Sequence, residues 1–259
     1  MWSRIKTETY RALISPIAVV CIIVTFLILL QANWSDFYNQ HFQPEGTNLN
    51  YFCIALIFSY LPLVAPVISA MPYSYSFCDE ARTGFATYSM IRGHRYEYLV
   101  AKIVSTGLSG GIVLGVGVFL YGLFVTLLAV PYNPNNPAHY ISYSNSIWEP
   151  FMNESSGLPY IIAMSVEYFI FGFIWSNVGM AASSFIRNRY IALTAPFIIY
   201  YILLYITPQL GLEILNPSEM LDQRYYLQTS ILALLGYQLT QLVTCIFVFL
   251  KGSKRGIIL

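Results

Sequence analysis

Charge is scarce in this chain. Asp, Glu, Lys and Arg make up 10% of its 259 residues, and 57% are hydrophobic. A soluble domain carries about 25% charged residues. There is too little polar surface to wet a soluble fold, so a bilayer has to serve as the solvent. The net charge of +1 excludes the basic excess expected of a nucleic-acid-binding protein. The four cysteines give no disulfide framework: Cys21 and Cys245 fall inside apolar runs, Cys53 near the end of one, and Cys78 in a polar loop. The three histidines, His41, His94 and His139, are scattered and form no cluster at metal-ligand spacing. Neither H-E-x-x-H nor a phosphate-cradling G-x-x-x-x-G-K-S/T occurs, which leaves no zinc site and no nucleotide site to expect in this chain.

What the chain has in abundance is long apolar runs. Six of them, Ala12–Leu30, Tyr51–Met71, Ile103–Val130, Leu158–Phe185, Tyr190–Leu210 and Ser230–Leu250, reach the roughly 20 residues needed to cross a bilayer. Backbone groups in hydrocarbon must be satisfied within the segment, so each run predicts a helix. None shows the alternation of a barrel strand. The first run is longer than a signal-peptide core and lacks a small-x-small cleavage site, so it reads as a retained span. The expected fold is a single all-α transmembrane domain over residues 1–259 with six transmembrane helices.

The few charges are sorted by side. Arg4, Lys6 and Arg11 precede the first run. Arg82, Arg92, Arg95 and Lys102 lie between the second and third, Arg187 and Arg189 between the fourth and fifth, and Lys251, Lys254 and Arg255 after the sixth. Only Arg224 falls on the other side. The positive-inside rule then puts both termini in the cytoplasm and predicts a multi-pass plasma-membrane protein. The opposite loops, 131–157 and 211–228, are expected outside, the second as a loop or re-entrant hairpin. Two N-x-S sequons, at Asn33 and Asn153, fall on that outer side.

Within this frame several features suggest local structure. Residues 1–11 read as an interfacial amphipathic segment. Pro62 and Pro66 predict a kink in the second span, a candidate bend in a substrate path. Gly107, Gly111 and Gly115 recur every four residues in the third span, a spacing that lets helix backbones approach closely. The overlapping G-x-S-x-G and L-S-G-G patterns in Gly107–Gly111 lack the strand–turn–helix and ATPase contexts that would give them chemistry, and read as helix packing. Glu167 is the one ionisable residue inside a span, roughly 13 Å from its outer end at 1.5 Å per residue. A charge at such depth is a functional candidate, here for the substrate path. The structural alternative is a hydrogen-bonded or protonated Glu.

Residues 73–102 form the longest loop on the basic side. They mix charge with the apolar residues Phe85, Tyr88, Ile91 and Leu99. A polar helix between two spans reads as a docking surface. Here the chain resembles the permease subunits of type-2 ABC transporters, which carry E-x-x-x-G, then a mixed hydrophobic stretch, a small/basic turn and a Lys entering the third helix. Glu80 and Gly84 match the first part, Gly93 with Arg92 and Arg95 the turn, and Lys102 the last position. Phe85 and Arg92 depart from the Thr and Pro often found there. The resemblance covers about 25 residues in motif and the whole chain in topology.

The resemblance implies a coupling helix that seats in a separate ATPase, with Glu80, Gly84, Phe85, Tyr88, Arg92, Arg95 and Lys102 as coupling residues. It implies two ATPase copies carrying ATP and Mg, and a second permease forming a homodimer or related heterodimer. The chain itself would hold no cofactor and act as no enzyme, and its cargo would be exported. The aromatic content, 17 Phe and 22 Tyr, fits an amphiphilic cargo such as a peptide, a lipid-like molecule or a drug. The alternative reading is an intramembrane enzyme or a structural or immunity protein without transport. An enzyme would place paired catalytic groups inside the spans, where Glu167 stands alone.

Overall fold

The computed structural model describes residues 2–39, 46–92, 94–136, 139, 148–152, 156–186, 188–212, 215–221 and 231–258. Twelve α-helices run through them: α1 (Trp2–Leu13), α2 (Pro16–Ala32), α3 (Trp34–Asn39), α4 (Asn48–Phe58), α5 (Leu61–Ala70), α6 (Ser76–Arg82), α7 (Phe85–Arg92), α8 (Arg95–Leu128), α9 (Glu149–Met152), α10 (Leu158–Phe185), α11 (Arg189–Gln209) and α12 (Ile231–Ile258). A 3₁₀ turn covers Pro217–Met220. Among the described residues the only β-type pairing is an isolated bridge between Thr47 and Val130.

Four helices, α8, α10, α11 and α12, are each long and apolar enough to cross a membrane, and the bent pairs α1–α2 and α4–α5 raise the number to six if each pair is one span. The chain is therefore an all-helical, multi-pass membrane protein. The spans fall where hydropathy places them, but two differ in shape from the sequence expectation. Residues 51–71 do not form one kinked helix: α4 and α5 meet at 75°. Pro62 lies in the first turn of α5, where its missing N–H leaves no intrahelical bond unmade, so it starts a helix rather than bending one. Pro66 lies inside α5 and is buried. At the N-terminus α1 is a continuous helix, and the chain turns 56° into α2. Ser15 caps α2, its Oγ accepting from Ile17 N at 3.3 Å, and Pro16 follows.

The long α8 and α10 form the centre. The α8 glycines are used within the chain: a side chain at Gly107 would strike the Phe173 ring, and one at Gly111 the Phe169 carbonyl. A Cβ added to Gly172 of α10 would lie 2.4 Å from the Gly110 carbonyl oxygen. Around this seam a large apolar core includes Phe52, Tyr121, Tyr168, Phe171, Trp175 and Tyr200. A smaller core of Phe77, Tyr98, Leu99, Ile103, Met180 and Phe249 lies at the end of the bundle carrying most of the basic residues, the basic end.

At the opposite end Asn48 ties three segments. Its Nδ2 donates to Ser156 O at 2.8 Å, and its Oδ1 accepts from Tyr132 N at 2.9 Å. Asn33 is 1% exposed and donates to Tyr51 O and to the Tyr121 hydroxyl. Its side chain is an internal tie, so the sequon match at Asn33 marks packing rather than an exposed acceptor. Asn153, Arg187, Arg224 and about half of each of the loops 131–157 and 211–228 lie outside the described residues. The four cysteines are free thiols.

Candidate functional site

At 34 residues, α8 is about 51 Å long, well beyond a hydrocarbon core of about 30 Å. Its first turns therefore project from the bilayer at the basic end. Lys102 lies two turns into α8 and its side chain is completely buried. A buried ammonium requires counter-charge and hydrogen-bond acceptors, because the desolvation cost is several kcal/mol. Lys102 Nζ donates to Glu8 Oε2 at 2.7 Å, to Glu80 Oε1 at 2.8 Å and to the Tyr73 hydroxyl at 3.3 Å. It also lies 5.0 Å from the Tyr73 ring centroid and 5.8 Å from that of Tyr98, within reach of cation–π attraction.

The two carboxylates are themselves held. The Tyr73 hydroxyl donates to Glu8, and the Tyr98 hydroxyl donates to Glu80 Oε2 at 2.6 Å. Arg11 Nη1 lies 3.4 Å from both Glu8 Oε1 and Glu80 Oε1. Two carboxylates face two cations, so the cluster is neutral. Burial pushes the Glu8 carboxyl up, but the Lys102 charge, with hydrogen bonds from Lys102 and Tyr73 and the nearby Arg11, outweighs it and holds Glu8 below its ordinary value. Burial, followed by the hydrogen bond to Glu8 and that carboxylate's charge, pushes the Tyr73 phenol up, so it stays a donor. Four segments meet here: α1 gives Glu8 and Arg11, the α5–α6 turn gives Tyr73, α6 gives Glu80, and α8 gives Tyr98 and Lys102.

Beside the cluster the chain turns sharply. Thr83 ends α6, its hydroxyl donating to Asp79 O at 3.1 Å. Gly84 adopts φ +78°, the left-handed region that a residue with a Cβ enters only at a cost. No atom lies within 4 Å of a Cβ placed there, so the backbone angle, not space, calls for glycine. The turn launches α7, which has two faces. Ala86 is buried and Met90 packs on the smaller core. Phe85, Tyr88 and Ile91, spaced by three, are 51%, 70% and 77% exposed and share the other face.

The sequence reading placed Glu80, Gly84, Phe85, Tyr88, Arg92, Arg95 and Lys102 on one docking surface. The structure divides them. Glu80 and Lys102 are buried and engaged inside the protein, because the neutral cluster needs both. Gly84 forms the turn. Phe85 and Tyr88 are exposed on α7. Arg92 ends α7 with its side chain outside the described set, and Arg95 opens α8, half-buried. The segment Asp79–Tyr96 is not one helix but α6, a turn, α7 and the start of α8. Sequence reasoning missed Glu8, Tyr73 and Tyr98, and used Arg11 only as a topology marker. One signal pointed to Glu8: it is the sole acidic residue in the first 35.

Glu167 lies in α10, away from this cluster. It is 1% exposed and accepts a hydrogen bond from Gln238 Nε2 of α12. Further along the same seam, towards the basic end, α10, α11 and α12 enclose an apolar groove of about 340 Å³ lined by Ile174, Trp175, Leu203, Thr244 and Val248. A second cleft of about 250 Å³, lined by both polar and apolar groups, separates α1 from α7 and α8. Arg4, Thr7 and Glu8 line it on one side, and Phe85, Ser89 and Tyr98 on the other. No cluster of three or more His, Cys, Asp or Glu with metal-binding geometry occurs among the described residues.

Comparison with protein-family models, with curated proteins and with solved structures gives no match. The fold alone defines the class, a multi-pass helical membrane protein.

Proposed function

We propose that this chain is the permease subunit of an ATP-driven exporter of the type-2 ABC class. Two copies, or one copy and a related permease, assemble with two ATPase subunits that bind ATP and Mg. The basic end faces the cytoplasm, as the basic asymmetry of the loops favours, and both termini lie there. The observation that carries the reading is α7: a short helix at the basic end that presents Phe85, Tyr88 and Ile91 outward, while α6, which leads into it, is tied to α8 through the Glu80–Lys102 pair. An apolar face held out on a rigid base suits docking into a groove of a soluble partner. Closure of the ATPases would press on α7, and the buried pair would pass that movement to α8 and hence to α10. The apolar groove along the α10–α12 seam, with the Glu167–Gln238 pair above it, suits the greasy part of an amphiphilic cargo.

The proposal predicts an ABC ATPase in a neighbouring reading frame, and the test is co-expression with it. The pair is expected to co-purify, and Tyr88→Arg is expected to abolish both co-purification and permease-dependent ATPase stimulation while membrane insertion stays intact. Tyr88→Arg retaining both would overturn the assignment of α7 as the docking helix.

A further inference from the structure

The packing of α1 differs in kind from that of the helices around it. Ala12 is its only buried residue, and no α1 residue belongs to either apolar core. Trp2 and Tyr10 are 79% and 66% exposed. What fastens α1 to the body is polar: Glu8 to Lys102 and Tyr73, Arg11 to Glu80, and Arg4 Nη1 to Ser89 O of α7 at 3.4 Å. A capped break follows at Ser15–Pro16, where the chain turns 56° into α2. The second cleft runs along the seam between α1 and α7, with Glu8 and Tyr98 in its walls. A helix with a hinge at one end, little apolar attachment and one neutral ion cluster as its fastening has its position decided by that cluster.

We propose that α1 is a strap fastened by Glu8 to Lys102 and that Glu8 is a positioning residue for the α7 docking face. The functional half of this rests on the reading of α7 as the ATPase contact. Removing the Glu8 charge leaves one carboxylate against two cations and strands part of a buried charge, which is far more costly than losing a surface pair. The strap then lifts, and α7 loses the hydrogen bond that Arg4 of α1 donates to Ser89 O. Removing the Lys102 charge as well restores balance, because Glu80 and Arg11 remain as a pair.

The experiment uses the full chain with Cys21, Cys53, Cys78 and Cys245 replaced by alanine and Thr9→Cys as reporter, since the Thr9 hydroxyl oxygen is buried without a partner. The rate of thiol labelling by a water-soluble maleimide is measured in parent, Glu8→Gln, Lys102→Met and the double variant. Each single change is expected to raise the rate by about a hundredfold, and the double variant to return to within about threefold of the parent. With the ATPase present, Glu8→Gln is expected to lower stimulation of ATP turnover and the double variant to recover it. Parent-like labelling in Glu8→Gln, or additive effects in the double variant, would overturn the strap. Failure of the ATPase to bind the parent would overturn the docking reading alone, since labelling still decides the strap. A helix that only packs would show no rescue by the second charge removal.

Discussion

Within α8, the stretch Gly107–Gly115 and the turn around Lys102 are neighbours, yet different forces fix them. The glycine stretch meets α10 backbone to backbone, with no room for a methyl group at Gly172 or Gly110. Its attraction is dispersion over a close approach, spread across many small contacts. Around Lys102 the attraction is concentrated in a few charges, and each needs the others. A seam of the first kind tolerates the loss of one contact but not an added atom. A cluster of the second kind tolerates little change of shape or charge, and losing one member strands the rest. The lesson for this fold is that its rigid centre and its responsive end lie on one helix. Under the proposed function, a push on α7 would pass through the Gly84 turn to Glu80 of α6 and from there to Lys102 of α8.

Two substitutions probe that contrast. The larger effect is expected from Glu80→Arg. It leaves Glu8 alone against three cations, and removing one partner of a buried pair costs roughly 3–5 kcal/mol, a large part of a typical total of about 5–15 kcal/mol. Thermal unfolding in detergent is expected to show a strongly lowered midpoint, and an unchanged midpoint would mean that the cluster does not stabilise the basic end. This differs from what the loop sequence alone implies, namely a surface change that uncouples a partner and leaves the protein intact. A smaller effect is expected from Gly172→Ala, where the added methyl group must move a backbone carbonyl. Overpacking costs roughly 1–3 kcal/mol, so the midpoint should fall by less than for Glu80→Arg. Charge removal elsewhere should not restore it, since no charge is involved.

Much of the bundle was legible in the sequence. The apolar runs matched α8, α10, α11 and α12, because hydropathy over a span is a local property. The glycine spacing announced a close approach, although not that Phe169, Phe173 and Gly172 of α10 would receive it. The break between α4 and α5 was hidden because Pro62 reads as a kink by its presence inside an apolar run, whereas it opens a new helix. The site was legible only in half. Phe85 and Tyr88 stood out from the local mix of apolar and charged residues, and Gly84 came only from the resemblance to the family motif. The roles of Glu80 and Lys102 did not follow from local pattern, because their partner Glu8 lies 94 residues from Lys102 and no periodicity links charges so far apart. The basic residues were read as topology markers, and that reading concealed which of them point inward. The Glu167–Gln238 pair was missed for the same reason, being 71 residues apart.

The central claim is that the exposed face of α7 lies in the cytoplasm and seats in an ATPase. It is tested most directly at Ile91, which is 77% exposed, by labelling Ile91→Cys with a membrane-impermeant thiol reagent. The account predicts no labelling from outside intact cells, ready labelling in inside-out vesicles, and protection in those vesicles when the ATPase is bound. Labelling from outside, or labelling in inside-out vesicles that the ATPase leaves unchanged, would contradict it.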